Sequence, residues 1–234
     1  MRKTEFVNGE FYHVFNRGTD KRVIFPERYD FQRFFQGMEL FNVLDPIGSI
    51  YENSFRKNIQ LGNLVSKLEL GTKQPQKLVN FICYCLNPNH YHFILQQLVD
   101  RGIEKFMHRL GVGFVKYFNQ KYQRSGVLFQ GPFKAVHVDS NEYLLHLSAY
   151  VNLNYKVHRL GNQVSKSSWD EYAGVLRENE KGFCEKDVIL CQFNTVSEYK
   201  EFAEDSLEKI RERKDLEHLL FGDDEPGLGN QVSK

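Results

Sequence analysis

The feature that most constrains the fold is a tight turn between two apolar runs. Residues 78–86 are mostly apolar, aromatic or β-branched, residues 87–89 are Asn-Pro-Asn, and a second apolar run starts at His90. Asn and Pro favour turns, so the pattern predicts a β-hairpin. Because alternate side chains of a strand share a face, we expect His90 and His92 to point one way and Tyr91 the other.

Two imidazoles on the same face of a rigid strand have the arrangement of a metal site. The alternative is a pair of strand histidines that only form hydrogen bonds. The pair alone does not decide between these interpretations, because motifs this short also match by chance.

The chain has 234 residues, enough for one domain with a substantial core, with or without an appendage. No apolar run is long enough to span a membrane, and the first residues lead into no signal-peptide core, so we expect no membrane partner.

The four cysteines are too few and too irregularly spaced for a disulfide framework. We interpret them as reduced thiols of a cytoplasmic protein, with a four-cysteine zinc site as the alternative.

The formal net charge of +1 hides an asymmetry along the chain. Residues 1–177 carry a net charge of +8, whereas residues 178–225 carry −8. Such a division suggests a basic body that faces a polyanion, followed by an acidic appendage. An ordinary solvated surface would give the same counts.

Hydrophobic periodicity predicts elements in the order β-α-β-β-α-β-α, followed by a charged helix. This order fits an α+β ferredoxin-like sandwich, with a four-stranded antiparallel sheet and helices on one face. We divide the chain into a domain over 1–177, with 43–76 as an insertion, and an acidic helical extension and tail over 178–234. The predicted strands cover 10–16, 77–86, 90–97 and 127–138, and the predicted helices cover 27–42, 103–122, 139–154 and 197–221.

Five short segments, taken together, are far more specific than a pair of histidines. They are Asn-Arg-Gly at 16–18, Asn-Pro-Asn-His-Tyr-His at 87–92, Tyr-Phe-Asn-Gln-Lys-Tyr at 117–122, Phe-Gln-Gly-Pro-Phe-Lys at 129–134 and Tyr-Val-Asn-Leu-Asn at 150–154. On these segments the chain resembles, from about Phe11 to Tyr172, the single-tyrosine HUH transposases and, within them, the REP-associated tyrosine transposases. It departs from that family at Phe129, Pro132 and Tyr155, which are neither the histidines nor the tyrosine nucleophile.

The resemblance implies a role for each residue of the motifs. His90 and His92 would hold a divalent metal ion, and Asn154, one helical turn after Tyr150, would supply a third ligand through its amide oxygen. Two imidazoles, an amide oxygen and open positions for phosphate oxygen and water suit Mg²⁺ or Mn²⁺. Tyr150 would be the nucleophile; Tyr143 is the nearest competitor, but it lacks an Asn four residues later.

The implied activity is that of a metal-dependent single-stranded DNA endonuclease and strand transferase. A bound cation neutralises the phosphodiester, and the tyrosine attacks it to give a covalent 5′-phosphotyrosine that can be reversed to rejoin DNA. The implied partner is single-stranded DNA with a hairpin, bound by a monomer or homodimer in the cytoplasm, at the nucleoid when on DNA. Basic residues that suit phosphate contact are Arg17, Lys21, Arg22, Lys105, Arg109, Lys116, Lys121, Arg124 and Lys134.

Two other classes of function remain open from the residues. A non-catalytic or domesticated nucleic-acid-binding module would use the same ferredoxin-like sheet, but it would not need paired histidines followed by a Tyr-x-x-x-Asn motif. A histidine-triad nucleotide hydrolase would require another His at position 94, which is Ile94.

A heptapeptide repeat occurs three times, as Leu-Gly-Asn-x-Val-Ser-Lys at 61–67, 160–166 and 228–234. Its irregular spacing excludes a solenoid. We interpret the copies as translated DNA repeats that entered the gene, and as candidates for the hairpin element that the protein handles.

Overall fold

The computed structural model describes residues 4–48, 50, 75–158, 165–175 and 182–221, with the backbone alone for 213–221. The strands in these ranges are β1 Phe11–Arg17, β2 Val79–Asn87, β3 His90–Gln97, β4 Lys134–Val138 and β5 Lys166–Ser167. They form one antiparallel sheet in the order β4-β1-β3-β2-β5.

Seven α-helices and one 3₁₀ turn, Thr19–Lys21, accompany the strands in the described ranges. The helices are α1 Arg28–Leu40, α2 Gly102–Lys121, α3 Asn141–Asn152, α4 Asn154–Val157, α5 Trp169–Tyr172, α6 Asp187–Leu190 and α7 Val196–Phe221. The elements from β1 to β4 follow the order β-α-β-β-α-β, and their sheet order is β4-β1-β3-β2. The predicted ferredoxin-like fold is therefore confirmed, and β5 extends its sheet at the edge of β2.

An aromatic core joins α1 and α2 to one face of the sheet. A capping box formed by Glu27 and Asp30 starts α1, because each side chain satisfies a backbone N–H at the helix end. The ring of Phe34 then packs 5.3 Å from Tyr91 of β3 and edge-on, at 4.9 Å, against Phe114 of α2. This is the face to which Tyr91 was predicted to point.

Helices cover the opposite face of the sheet as well, which corrects the expectation of helices on one face only. Ile82, Cys83, Cys85 and Ile94 are fully buried in a second core together with α3 and α7. The strands are apolar on both faces, and such strands need a cover on each side. A register shift between Phe81 and Cys83 adds a residue to β2 and turns both Ile82 and Cys83 towards this core.

The predicted hairpin is confirmed, and its turn is short. Strand β2 ends at Asn87 and β3 starts at His90, so only residues 88–89 form the turn, and Asn87 pairs directly with His90. The histidines at 90 and 92 face the second core, opposite to Tyr91. The strand alternation read from the sequence therefore places both imidazoles on one surface.

Two elements have bounds that differ from those predicted from the sequence. A strand was expected over 127–138, but β4 starts only at Lys134; Gly131 has φ +88°, a left-handed conformation that interrupts an extended strand. The helix expected over 139–154 is broken at Leu153, whose φ of −105° and ψ of 12° separate α3 from α4. Asn154 therefore opens a new helix.

The predicted charged helix is confirmed as α7, and it packs on α3 through Tyr199, Ala203 and Leu207.

The division of the chain into two domains stays a prediction. Most of the predicted insertion and the repeat copies at 61–67 and 228–234 lie outside the described residues. None of the described helices is both long enough and apolar enough to cross a membrane.

Candidate active site

Three aromatic side chains form a stack on the sheet face that α3 covers. His13 and Phe15 lie on β1, and Phe15 pairs with His92 of β3. The ring of His92 is 5.1 Å from that of His13 and 5.6 Å from that of Phe15, with planes inclined by 18° and 21°. A 2.9 Å hydrogen bond joins His13 Nε2 to His92 Nδ1. Burial lowers the pKa of His13 to about 3, so its imidazole is neutral at physiological pH.

The hydrogen bonds of His90 define the tautomer of its neutral imidazole. Asn89 donates from Nδ2 to the carbonyl of Lys21 at 3.2 Å, which leaves its Oδ1 to face His90 Nδ1 at 2.6 Å. An amide oxygen only accepts, so the proton lies on Nδ1 of His90. In the neutral imidazole Nε2 then carries the lone pair, and Asn87 Nδ2 lies 2.9 Å from it as the donor.

The helix break at Leu153 brings Asn154 to the histidines. Asn154 is fully buried, and its Oδ1 lies 3.1 Å from His90 Nε2. The amide of Asn87 bridges these two atoms, because its Nδ2 also donates to Asn154 Oδ1 at 2.6 Å. Ser165 holds the other end of the Asn87 amide by donating to its Oδ1 at 2.9 Å.

These residues fit a divalent cation in donor type and in spacing. Two ligands at adjacent octahedral positions, each about 2.1 Å from Mg²⁺, are about 3 Å apart, which matches the separation of His90 Nε2 and Asn154 Oδ1. The Nδ2 group of Asn87 presents its two positive N–H ends to the same two atoms. In the described ranges no three His, Cys, Asp or Glu residues converge to hold a metal. A cation there would therefore depend on the amide of Asn154 as its third protein donor.

Tyr150 lies beside the histidines, on the buried side of α3. Its ring centroid is 5.5 Å from that of His92 and 6.2 Å from that of His13, and it meets both rings edge-on. The side chain is 7% exposed. The fold therefore brings the predicted nucleophile and the predicted metal ligands His90, His92 and Asn154 into one cluster, from α3, β3 and α4.

Tyr143, the competing nucleophile, lies two helical turns earlier on α3. Burial and the nearby carboxylate of Asp139 raise the pKa of its hydroxyl. A raised pKa disfavours the phenolate, so the surroundings of Tyr143 do not prepare it for attack.

Four predicted DNA-binding residues lie on the strand ends and the loop around the histidines. Lys134 is exposed at the start of β4, and its Nζ lies 6.0 Å from the centre of the Phe15 ring. Arg17 ends β1 opposite His90. Lys21 and Arg22 are exposed on the loop that follows, which Asn89 ties to the hairpin through the carbonyl of Lys21.

The other five predicted DNA-binding residues lie on α2 or just after it, against the opposite face of the sheet. Four of them are held by other protein groups. Lys121 Nζ is 2.8 Å from the buried Asp30 carboxylate, and Arg109 Nη2 donates to the carbonyl of Leu44 at 3.1 Å. Lys105 Nζ donates to the carbonyl of Asp100 at 2.9 Å, and Arg124 Nη2 donates to the carbonyl of Val127 at 3.2 Å. The structure does not bring this group to Tyr150, and as DNA contacts its members stay predictions. The group consists of Lys105, Arg109, Lys116, Lys121 and Arg124.

Sequence reasoning assigned no role to His13 or Ser165, and it treated Asn87 and Asn89 only as turn residues. All four belong to the hydrogen-bond network of the site. One signal was present, since His13 and Phe15 alternate on a predicted strand. Their position beside His92 depends on the register of β1 with β3, which the local pattern does not contain.

No family model matches the chain, and no curated protein matches it. Among solved structures, the chain is similar to a REP-associated tyrosine transposase bound to a REP hairpin, with 13% identity and a TM-score of 0.45 over 78% of this chain and 91% of that chain. It is also similar to a tRNA(His) guanylyltransferase from Saccharomyces cerevisiae, with 12% identity and a TM-score of 0.30 over 97% of this chain and 85% of that chain. Both similarities are distant likenesses of the fold and carry no argument about chemistry.

Proposed function

We propose that this chain is a metal-dependent single-stranded DNA endonuclease and strand transferase that acts at hairpin repeats through a covalent 5′-phosphotyrosine. The observation that supports this proposal is the meeting of a tyrosine, two imidazoles and an amide oxygen in one buried cluster. Tyr150 is 5.5 Å from His92 between ring centres, and His90 Nε2 is 3.1 Å from Asn154 Oδ1. The motif residues named from the sequence are the ones that meet there.

In the proposed site, His90, His92 and Asn154 are the metal ligands, and all three are uncharged. A Mg²⁺ or Mn²⁺ ion held by them would neutralise the phosphodiester and polarise its phosphoryl group. Because neutral ligands do not cancel the charge of a cation, the full charge remains available to the anionic substrate. The hydrogen bond that Asn89 accepts from His90 and the one that Asn87 donates to Asn154 orient these two residues before the substrate arrives.

Tyr150 is the proposed nucleophile. Its hydroxyl oxygen forms a bond to phosphorus while the bond from phosphorus to the 3′ oxygen breaks, and the DNA strand leaves with a free 3′-hydroxyl. The phenol gives up its proton, and the leaving oxygen gains one. The phosphate ester bond is exchanged and not hydrolysed, so attack by a 3′-hydroxyl can reverse the step and rejoin DNA without ATP.

The proposed substrate is an unpaired strand next to a hairpin. A single strand can bend one phosphodiester towards a tyrosine that is 7% exposed, whereas a stiff duplex cannot. Arg17, Lys21, Arg22 and Lys134 are the basic residues around the site that suit contact with its phosphates. This placement favours DNA entry from the side of β1, β4 and the loop after β1.

A covalent-adduct assay tests the proposal. The purified full chain is incubated with single-stranded hairpin DNA from the flanks of its gene and Mg²⁺ or Mn²⁺, then separated on a denaturing gel. We expect a protein band shifted by DNA that disappears with a chelator and in Tyr150→Phe but persists in Tyr143→Phe. Loss of the band in Tyr143→Phe instead would move the nucleophile to that residue.

The same assay separates this proposal from a non-catalytic nucleic-acid-binding module. A module would bind the hairpin strands with unchanged affinity in Tyr150→Phe and would form no adduct with any of them. Binding without an adduct in the wild-type chain, at any concentration of Mg²⁺ or Mn²⁺, would therefore contradict the endonuclease and support the module.

A further inference from the structure

We propose that His13 is a positioning residue of the metal site, which accepts the Nδ1 proton of His92 and thereby directs the Nε2 lone pair of His92 to the cation. The inference rests on the proposed function and deepens it. His13 lies on a different strand from both proposed histidine ligands, and no motif of the sequence assigns it a role.

The geometry holds the two imidazoles against each other. His13 is 3% exposed, and its Nε2 is 2.9 Å from His92 Nδ1. The ring of Phe15 lies 4.8 Å from that of His13 and 5.6 Å from that of His92. His92 is thus confined on one side by Phe15 and, edge-on, by Tyr150. Rotation of the His92 ring would break the hydrogen bond and disturb this packing.

The direction of the hydrogen bond decides whether His92 can bind a cation. A neutral imidazole carries its proton on one nitrogen and its lone pair on the other. If His92 carries the proton on Nδ1 and donates it to His13, its Nε2 has the lone pair that a metal needs. If His13 donates instead, His92 Nε2 is protonated and cannot bind a cation.

Asn89 plays for His90 the part that His13 plays for His92. Asn89 Oδ1 faces Nδ1 of His90 at 2.6 Å, so His90 also keeps Nε2 for the site. Hydrogen bonds of this kind fix the tautomer of metal-bound histidines and raise their basicity. A neutral imidazole at position 13 does this without adding a negative charge, which would compete with the phosphodiester for the cation.

The test compares two substitutions of His13 with a control in the full-length chain. His13→Phe keeps an aromatic ring but cannot accept a proton, whereas the amide oxygen of His13→Gln can accept it. His137→Phe is the control, because His137 lies on β4 next to β1, is exposed and bonds to Glu10 away from the site. For each protein, Mn²⁺ binding is measured by calorimetry, and long-range ¹H–¹⁵N spectra report the tautomer of His92 in the wild type.

We expect His92 to carry its proton on Nδ1 in the wild type. His13→Phe should weaken Mn²⁺ binding about 10–100-fold, the usual loss when the partner of a metal-bound histidine is removed. His13→Gln should retain most of the affinity, and His137→Phe should bind as the wild type does. A wild-type His92 protonated on Nε2, or Mn²⁺ affinity in folded His13→Phe equal to that of the wild type, overturns the inference.

Failure of this inference is distinguishable from failure of the proposed function. A wild-type chain that forms the tyrosine adduct, and whose Mn²⁺ affinity does not depend on His13, refutes the role of His13 alone. A wild-type chain without Mn²⁺ binding or adduct refutes the function, while the tautomer of His92 still tests the hydrogen bond. If His13→Phe loses its circular dichroism signal, that variant is unfolded. The inference is then tested by the tautomer of His92 in the wild type and by the Mn²⁺ affinity of His13→Gln.

Discussion

Asn154 Oδ1 lies 3.1 Å from His90 Nε2, although 64 residues separate them in the chain and Asn154 does not belong to the helix of Tyr150. The break at Leu153 creates this contact, since it ends α3 and starts α4. The proposed nucleophile and the proposed third ligand are therefore positioned by two consecutive helices that meet at a bend.

The first prediction concerns the amide oxygen of Asn154. In Asn154→Ala we expect Mn²⁺ affinity and adduct formation to fall at least tenfold, because the third donor is lost. Asn87 Nδ2 would also lose an acceptor in a buried place. Calorimetry with Mn²⁺ and the denaturing gel measure the two effects. Asn141→Ala, an exposed position at the start of α3, should change neither. Unchanged Mn²⁺ affinity in Asn154→Ala would exclude Asn154 as a ligand.

The second prediction compares two exposed lysines on opposite faces of the sheet. Lys134 lies near the histidine stack, whereas Lys116 lies on α2. We expect Lys134→Ala to weaken hairpin binding and to lower the slope of log affinity against log salt by about 1, the contribution of one phosphate contact. Lys116→Ala should have the smaller effect. Fluorescence anisotropy over a range of salt concentrations measures both, and a larger loss for Lys116→Ala would place the DNA on α2.

The third prediction concerns the contact of α7 with α3, the helix that carries Tyr150. The hydroxyl of Tyr199 bonds to Ser148 at 3.1 Å and to Asn152 at 2.9 Å, and these residues flank Tyr150 by two positions on either side. In Tyr199→Phe both buried partners lose a hydrogen bond, so we expect the free energy of unfolding to fall by about 1–3 kcal/mol. Urea denaturation measures it. The exposed Tyr29→Phe is the control, and equal stability of the two variants would contradict the prediction.

The fourth prediction concerns Asp30, a fully buried carboxylate that ties α1 to α2. Burial acts to raise its pKa, but hydrogen bonds from Lys121, Tyr122 and Tyr117 outweigh burial, so the pKa lies below its ordinary value. A carboxyl group with a lowered pKa stabilises the fold above the pKa of the unfolded chain, about 4, and this stabilisation is lost as the pH falls further.

The free energy of unfolding of Asp30→Asn should therefore be about 3 kcal/mol lower than that of the wild type at pH 7. This is the lower end of the cost of removing one partner of a buried ion pair, because the other partner, Lys121, is 25% exposed. Near pH 3 the wild type and the variant should approach each other in stability. Urea denaturation at both pH values checks this. A stability difference that is the same at pH 7 and pH 3 would show that the charge of Asp30 is not its cause.

Much of the fold could be predicted because its signals are local. The alternation around His90 and His92 indicated the strand and the common face of the two imidazoles, and the turn chemistry of residues 87–89 indicated the hairpin. Helical spacing located α1, α2 and α7 within a few residues. These patterns depend on neighbours in the chain, so a sequence contains them directly.

The parts that could not be predicted depend on contacts between distant residues. The break at Leu153 occurs within an apolar helical pattern and has no Gly or Pro to announce it. Strand β5 contains two residues, too few for any pattern. The pairing of His13 with His92 follows from strand register, which is decided by the whole sheet.

Strand β5 also changes the meaning of the heptapeptide repeat. In the copy at 160–166, Ser165 holds the amide of Asn87, and Lys166 pairs with Leu86 at the sheet edge. If the copies descend from DNA repeats, the codons for these two residues are constrained twice: by the base pairing of a DNA hairpin and by the assembly of a protein strand. Silent substitutions could erode the hairpin there, but the amino acids would remain under selection after the DNA element had ceased to matter.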